Sequence, residues 1–444
     1  MNQSASRTSS NQKKQKKSTS KIVPGYEYVG AHNDLTMHTL RTNGLNVLHY
    51  YQPGAGVVTI HTLYKIGACD ESVGETGIAH MLEHMLFKPT RHDTGAVSRS
   101  MRLEQETGVI LNANTWKDRT TYYFTVPIEY MHDVLELESQ RMRDLNLVDK
   151  EFQPERMNVL SEFGMVNGNP MFGLEVAMRA AAFQSHPYGH ETIGFEDDIK
   201  DYTIDKLKKY YDQFYQPNNT TIIIVGDVGK QEALLHVKRY FSSIPRGPSQ
   251  PHGYPNEPKQ EGVRRVTVER PTTTQIVGLG VKHEGFPSQE WFTTELVFRI
   301  LADGPDSVLH HALVDSGLAT KVEICLEPTS QLSFSFLSIT FPNHSDHTKI
   351  EHMAMQAIAH LDLETVKKHF TRVVNQKLTD EVFERDGSLS YANELVEYVS
   401  ANAWQDFHCT EDRIKSCTPK LLVDMSRKLF DQKQMTIGHF IGTK

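Results

Sequence analysis

The sequence is poor in cysteine and has no long hydrophobic run. Its 444 residues contain four cysteines, Cys69, Cys325, Cys409 and Cys417, whose spacing fits neither a cysteine-based zinc site nor a disulfide framework. We therefore expect isolated structural thiols, as in a reducing compartment. No apolar stretch approaches the roughly 18 to 20 residues that cross a bilayer as a helix, so we also expect no membrane span.

The first 21 residues have no acidic and almost no apolar side chains. Six lysines and arginines make this tail positive, so the net charge of −8 for the whole chain leaves −14 for the remainder. We expect a disordered basic tail, because it lacks the apolar core of a secretory signal and the arginine-rich amphipathic pattern of a mitochondrial presequence. The predicted location is cytoplasmic, with organellar and periplasmic locations left open. The acidic remainder argues against nucleic acid as the main partner.

The most informative stretch is His80-Met81-Leu82-Glu83-His84. On a helix, residues four apart lie on one face, so the two histidines could share a metal ion. Glu83 could then reach a water molecule on that ion, in the H-x-x-E-H order of a group of zinc peptidases. Thr76 is a plausible N-cap for this helix. The alternative is a surface helix that carries two solvated histidines.

A second pair of acidic residues supplies the missing ligand. Glu155 and Glu162 are seven residues apart, which is two helical turns, so their carboxylates share a face. Glu162 could complete a site of two histidines and one carboxylate, which leaves the fourth zinc position open for water. Glu155 would lie behind it and orient a histidine N–H. The alternative is an ordinary charged helix face.

In these motifs the chain resembles the pitrilysin and mitochondrial processing peptidase family of zinc peptidases, in its short two-lobed form. That family places its third ligand, a glutamate, 75 to 80 residues after the second histidine, in an E-R-x-x-V-x-x-E segment that residues 155–162 reproduce. Further matching stretches are residues 111–115, 186–190 and 215–219. The resemblance implies one zinc ion per chain, held by His80, His84 and Glu162.

The fold expected for the chain is α+β, with two homologous lobes that each contain an antiparallel-rich β-sheet packed with helices. We predict an N-terminal lobe over residues 22–242 and a C-terminal lobe without a metal site over residues 263–444. Residues 243–262, with five prolines and three glycines, read as the linker. Residues 45–51 and 57–66 are predicted to pair as a β-hairpin.

An internal repeat at an offset of 216 residues supports the two lobes. Shifted by that offset, His80 and His84 fall at Leu296 and Ile300, which cannot bind zinc. The matched pairs are Phe214 and Phe430, Gln216 and Gln432, Thr220 and Thr436, and Gly226 and Gly442.

The predicted function is that of a zinc-dependent endopeptidase that cleaves peptides or unfolded segments. Glu83 would take a proton from the zinc-activated water and deliver it to the leaving amine. The resemblance also implies that the substrate adds as a strand to a sheet edge. The residues expected to contact it there are Asn112, Ala113, Asn114 and Thr115. For Asn112, a plain turn or strand-end role is the alternative.

The chain departs from the family pattern at residues 313–320. Relatives carry an arginine-containing helix there that ends in R-G-L-A-Y, and the arginine and tyrosine help to bind substrate. This chain keeps Gly-Leu-Ala but has neither basic residue nor tyrosine. We therefore predict a heterodimer, in which a homologous partner subunit supplies the arginine and tyrosine. The alternatives are a self-sufficient homodimeric peptidase and a non-catalytic scaffold, like the core proteins of a respiratory complex.

Overall fold

The computed structural model describes residues 23–444 except 55, 94, 96, 251–252 and 343–345. The predicted disordered tail, residues 1–21, therefore lies outside the described residues. In the described part of the chain, the strands form two mixed sheets, and each sheet is packed with helices. This confirms the predicted two-lobed α+β fold. The strands are β1 (Tyr26–His32), β2 (Leu35–Leu40), β3 (Asn46–Tyr51), β4 (Val57–Tyr64), β5 (Ile110–Thr115), β6 (Thr120–Pro127), β7 (Thr220–Gly226), β8 (Arg264–Arg270), β9 (Gln275–Glu284), β10 (Lys321–Cys325), β11 (Leu332–Phe341) and β12 (Met435–Gly442).

Fourteen helices are present in the described residues, and none of them is long and apolar enough to cross a membrane. They are α1 (Ile78–Met85), α2 (Arg99–Thr107), α3 (Met131–Arg143), α4 (Asp149–Asn167), α5 (Pro170–Ala182), α6 (Glu196–Asp201), α7 (Ile204–Phe214), α8 (Lys230–Phe241), α9 (Gln289–Ala302), α10 (His347–Ala359), α11 (Leu363–Glu384), α12 (Gly387–Ser400), α13 (Thr410–Ser416) and α14 (Pro419–Leu429). Short 3₁₀ turns lie between some of them.

The first sheet has the strand order β1-β2-β3-β7-β4-β6-β5. Strand β7 lies between β3 and β4, parallel to β3 and antiparallel to β4. The predicted hairpin of β3 with β4 is therefore wrong. All seven residues of β7 are buried, and such a strand needs a bonded neighbour on both sides. Because β7 is far from β3 and β4 in the sequence, the turn residues between β3 and β4 give no indication of this pairing.

The second sheet repeats the core of the first. Its order, β10-β11-β9-β12-β8, matches β5-β6-β4-β7-β3, and each pair of neighbours has the same relative direction as its counterpart. The repeated residues around Thr220 and Thr436 frame β7 and β12, which occupy the same position, fourth of five, in this shared pattern. Leu296 and Ile300 lie fully buried on α9, at the positions that correspond to His80 and His84. The duplication inferred from the sequence is thus present in the strand topology.

Each half of the chain also contributes a helix to the sheet of the other half. Helix α5 packs on β8, β9 and β12, whereas α12 packs on β4 and β7. The approach of α5 requires glycine beneath it, because a Cβ at Gly278 would lie 2.4 Å from Met178 Sδ and one at Gly438 would lie 2.6 Å from Met178 Cγ. The two halves are therefore interlocked through α5 and α12.

The predicted linker contains no helix or strand among its described residues, but it is attached to both halves. The Glu257 carboxylate accepts hydrogen bonds from the backbone N–H groups of Gln184, Ser185 and His186 and from Lys282 on β9. The Tyr254 hydroxyl donates to Asp70 at 2.5 Å. These contacts fix the linker against the surface of the lobes.

Candidate active site

Helix α1, which carries the two histidines, begins in a tightly packed loop. Its N-cap is Gly77 with φ +86°, where a Cβ would lie 2.4 Å from the carbonyl oxygen of Ile193. Thr76 is not the N-cap, because its hydroxyl donates to Asp198 at 2.6 Å. The buried Glu71 carboxylate instead accepts from the N–H groups of Gly77 and Ala79, at 2.7 and 3.0 Å. A carboxylate at a helix N-terminus also interacts favourably with the helix dipole.

The two faces of α1 have different surroundings. Met81, Leu82 and Met85 are fully buried in the core of the first lobe. His80 and His84 lie on the other face with 14% and 27% of their side chains exposed. Their rings lie 4.8 Å apart between centroids. The apolar face thus fixes the helix, while the histidine face is open to a ligand.

The structure brings together the three predicted metal ligands. His80 Nε2 lies 3.7 Å from one carboxylate oxygen of Glu162, and His84 Nε2 lies 3.5 Å from the other. One candidate ligand atom from each residue lies within 4.8 Å of the other two. Glu162 reaches this position because α4 packs against α1.

These separations fit a zinc ion. Ligand atoms that each lie about 2.0 to 2.1 Å from a tetrahedral zinc are roughly 3.4 Å apart, close to the two distances measured to Glu162. Two imidazoles and a carboxylate are also a donor set that zinc uses in catalytic sites, which keep a further position open. The residues present therefore fit a catalytic zinc.

Glu155 lies against the opposite nitrogen of His84. Its carboxylate is 3.3 Å from His84 Nδ1 and forms an ion pair with Lys88. The hydrogen bond with His84, together with Lys88, lowers the pKa of Glu155 to about 2, so the group stays ionised. An ionised acceptor on Nδ1 holds the proton there and leaves Nε2 available as a ligand.

The two histidines differ in protonation. Burial lowers the pKa of His80 to about 4, which makes this imidazole neutral near pH 7. Burial also lowers the pKa of His84, but hydrogen bonds with Glu155 and Glu162 outweigh it and raise the value to about 9. Because metal ligation needs a neutral imidazole, zinc and protons compete for His84.

Glu83 is held by the edge strand β5. The Thr115 hydroxyl donates to Glu83 Oε2 at 2.5 Å, and burial raises the pKa of Glu83. A carboxylate with a raised pKa is better suited to accept and return a proton near neutral pH. Thr115 is itself 5% exposed, so its side chain contacts Glu83 and not the solvent.

The other predicted substrate-binding residues lie along a free sheet edge. Strand β5 is the last strand of its sheet in the described part of the chain, and Asn112 and Asn114 are exposed on it. Trp116 N–H donates to Arg119 O where the β5–β6 hairpin closes, so by alternation Leu111 and Ala113 direct their backbone groups away from β6. The Ala113 N–H donates to Asn112 Oδ1 at 2.8 Å, so a strand that pairs with this edge would replace that local hydrogen bond.

Two residues of this region were given no role from the sequence, although His190 belongs to the matching stretch 186–190. Glu71 orients the N-terminus of α1, and His190 Nε2 contacts the same carboxylate at 3.1 Å. Neither lies at a helical spacing from His80 or His84, so periodicity gives no signal for them. Only the folded loops bring them to the start of α1.

Two protein-family descriptions match the chain. "Insulinase (Peptidase family M16)" matches residues 46–195, and "Peptidase M16 inactive domain" matches residues 201–385. The zinc protease PqqE of Helicobacter pylori is 29% identical over 421 residues, and the alignment covers 92% of each protein. A probable mitochondrial-processing peptidase subunit beta of Arabidopsis thaliana is 27% identical over 235 residues, which is 52% of this chain and 44% of that protein.

A solved structure matches both lobes. The crystal structure of a protease from Helicobacter pylori has a TM-score of 0.84 and 26% sequence identity, and the match covers 94% of this chain and 100% of that one. His80, His84 and Glu162 all lie within the residues that match the first family description. The residues described as an inactive domain include Leu296 and Ile300.

Proposed function

We propose that this chain, which belongs to the insulinase family of peptidases (family M16), is a zinc-dependent endopeptidase acting on peptides or unfolded polypeptide segments. The observation that carries the proposal is that His80 and His84 on α1 converge with Glu162 on α4. Glu83 lies on α1 beside the two histidines. The name of the Helicobacter pylori relative, a zinc protease, supports the choice of metal and reaction.

The proposed roles follow from the contacts of each side chain. His80, His84 and Glu162 would hold one zinc ion, which supplies Lewis acidity to a water molecule and to the scissile carbonyl. Glu83 takes the proton from the attacking water and delivers it to the leaving amine. Glu155 fixes the orientation of the His84 ring, and Thr115 fixes the Glu83 carboxylate.

We place the substrate along the free edge of β5. An extended peptide there would pair with the backbone of Ala113 and its neighbours, which explains how one site could accept different sequences. Asn112 and Asn114 would border the bound strand. Thr115 would contribute its backbone, because its hydroxyl is already bonded to Glu83.

A partner subunit is part of the proposal. At the positions of the arginine and tyrosine of relatives, this chain has Ser316 and Thr320, whose hydroxyls donate to the carbonyl oxygens of Ala312 and Thr340. These short hydroxyl side chains cannot replace the long basic and aromatic side chains with which relatives contact the substrate. The Arabidopsis relative, whose name describes it as a subunit, supports a heterodimer in which another chain supplies these groups.

For the location we propose a reducing compartment, with the cytoplasm as first candidate. All four cysteines are free thiols, and Cys69 and Cys417 are buried. Burial raises the pKa of the Cys69 thiol, which makes it unreactive.

Removal of zinc is expected to stop peptide hydrolysis, and returning zinc should restore it. Zinc content and cleavage of an internally quenched peptide would be measured on one preparation before chelation, after chelation and after reloading, with about one zinc per chain expected. Glu162→Gln should lose zinc on dialysis, while the matched change Glu151→Gln on the same helix should retain it. A chain that takes up no zinc would overturn the ligand assignment and favour a scaffold role.

Hydrolysis per bound zinc is expected to be highest in a heterodimer. The tagged chain would be purified from its own cells and separated by size, and each fraction analysed for subunit composition, zinc and cleavage rate. The proposal would be supported if only the fractions that contain a second homologous chain are active. Full activity in a fraction that contains this chain alone would contradict it and favour the homodimer.

A further inference from the structure

A polar pocket of about 310 Å³ lies at the seam between the two halves of the chain, and we call it the interlobe pocket. Neither Glu83 nor any of the three proposed zinc ligands lines it. Its volume is at the lower end of the range of about 300 to 1,000 Å³ that is usual for small-molecule sites. Its lining includes Asn46, Lys65 and Asp118 from the first half and Gln331, Ser400 and Asn402 from the second.

Lys65, which directly follows β4, brings a positive charge to this pocket without a matching negative one. Its ammonium donates to the side-chain oxygen of Asn402, which is uncharged, and it forms no ion pair within the described part of the chain. Burial lowers the pKa of Lys65, and no acidic neighbour offsets that effect. An anion bound beside this ammonium would therefore stabilise its charged form.

The neutral part of the lining has more free donors than free acceptors. The side-chain oxygens of Asn46, Gln331 and Asn402 each accept a hydrogen bond, from Thr39, His186 and Lys65 respectively. Their NH₂ groups, in contrast, donate to no other group among the described residues, so they remain available to a ligand. Free N–H donors next to a cation are the surroundings that an anion requires.

Asp118 limits the charge of the anion that this pocket can hold. Its carboxylate accepts hydrogen bonds from the backbone N–H of Ser330 at 2.8 Å and from the Tyr188 hydroxyl. These protein donors stabilise the Asp118 charge, but that charge would still repel a second negative charge close to it. Since the lining also lacks arginine, which binds phosphate through two N–H groups, the pocket favours an anion with a single charge.

We propose that the interlobe pocket binds a small organic molecule that carries one carboxylate group. The Lys65 ammonium forms an ion pair with this carboxylate, and the NH₂ groups of Asn46 and Asn402 donate to its oxygen atoms. The Ser400 hydroxyl, which has no hydrogen-bond partner in the described residues, is a further donor for the ligand. The site is separate from the zinc ligands, so this inference does not depend on the proposed peptidase function.

A ligand in this pocket would contact both halves of the chain. Two hydrogen bonds already cross the seam there, from Lys65 to Asn402 and from the Ser330 N–H to Asp118. A bound carboxylate would add contacts that exist only while the two halves are folded together. Because a ligand that binds only the folded state stabilises it by mass action, binding should raise the melting temperature.

The test measures the melting temperature and the heat of binding of the full chain with sodium acetate, lactate, butyrate and hexanoate, against sodium chloride and phosphate at equal ionic strength. We expect a monocarboxylate to bind and phosphate not to bind. Lys65→Met should weaken that binding by roughly ten- to a hundred-fold, and Asn402→Asp, which places a carboxylate beside Lys65, should abolish it. The matched controls are the exposed changes Lys208→Met and Asn33→Asp; Asn33, like Asn402, has a positive φ, 49° against 56°.

Binding of a monocarboxylate that the two pocket variants weaken and the two controls leave unchanged supports the assignment. If none of the four carboxylates binds more tightly than chloride, the pocket holds only water and the assignment is overturned. Carboxylate binding that Asn402→Asp leaves intact would place the ligand elsewhere, even where Lys65→Met fails to fold. Tighter binding of phosphate would contradict the inferred single charge. These measurements need neither bound zinc nor peptide cleavage, so their outcome is independent of the peptidase proposal.

Discussion

Glu83→Gln is expected to lower kcat for peptide hydrolysis by about 10²- to 10⁴-fold, the usual contribution of a positioned general base. Glutamine has the shape of glutamate and can still accept the hydrogen bond from Thr115, but it cannot take a proton from water. The three proposed zinc ligands are unchanged, so the bound zinc should stay at about one per chain. Cleavage of a quenched peptide and zinc content would be measured on the same preparation.

Glu106→Gln provides the control for this change, because Glu106 is exposed on α2 in the same lobe and loses the same charge. It should leave both zinc and hydrolysis as in the parent. A Glu83→Gln protein that keeps its zinc and still cleaves at the parental rate would show that another group accepts the proton. Loss of zinc from this variant would instead place Glu83 among the ligands.

The sequence predicted the candidate site well because most of it is local. His80, Glu83 and His84 lie within one helical turn and a half, and Glu155 and Glu162 lie two turns apart, so helical geometry alone fixes which side chains share a face. What spacing could not predict is the contact between α1 and α4. The resemblance to known zinc peptidases supplied that step, and the measured distances to Glu162 agree with it.

The parts that the sequence did not predict depend on contacts between distant segments. Strand β7 enters the sheet between β3 and β4 after more than 150 residues of intervening chain, while the turn between β3 and β4 looks like that of a hairpin. The exchange of α5 and α12 leaves only a weak trace, glycines such as Gly278 and Gly438 within strands. A strand glycine indicates a close approach but does not identify the element that approaches.

The exchange of helices leads to a second large expected effect, on stability. Arg179 on α5 is 1% exposed and forms ion pairs with Glu175, Glu191 and Glu327 at 3.0, 2.6 and 2.7 Å. Glu327 belongs to the second half of the chain, so this guanidinium joins the two halves. Arg179→Ala would leave three poorly solvated carboxylates without their shared cation. We expect a loss of about 3 to 5 kcal/mol in the free energy of unfolding, measured by urea denaturation at pH 7.

The contrast with Arg143→Ala tests the cause of that loss. Arg143 pairs with the largely exposed Asp212, so its removal should cost less than about 1 kcal/mol. The cost of Arg179→Ala should also depend on pH. Burial raises the pKa of Glu191, but Lys117 and Arg179 outweigh it and lower the value to about 2, below the ordinary 4.5. The stability that this carboxylate contributes is therefore present above pH 4.5 and is lost as the pH falls towards 2. Arg179→Ala should consequently cost less at pH 3.5 than at pH 7, and an equal cost at both would show that packing, not charge neutralisation, is the contribution of Arg179.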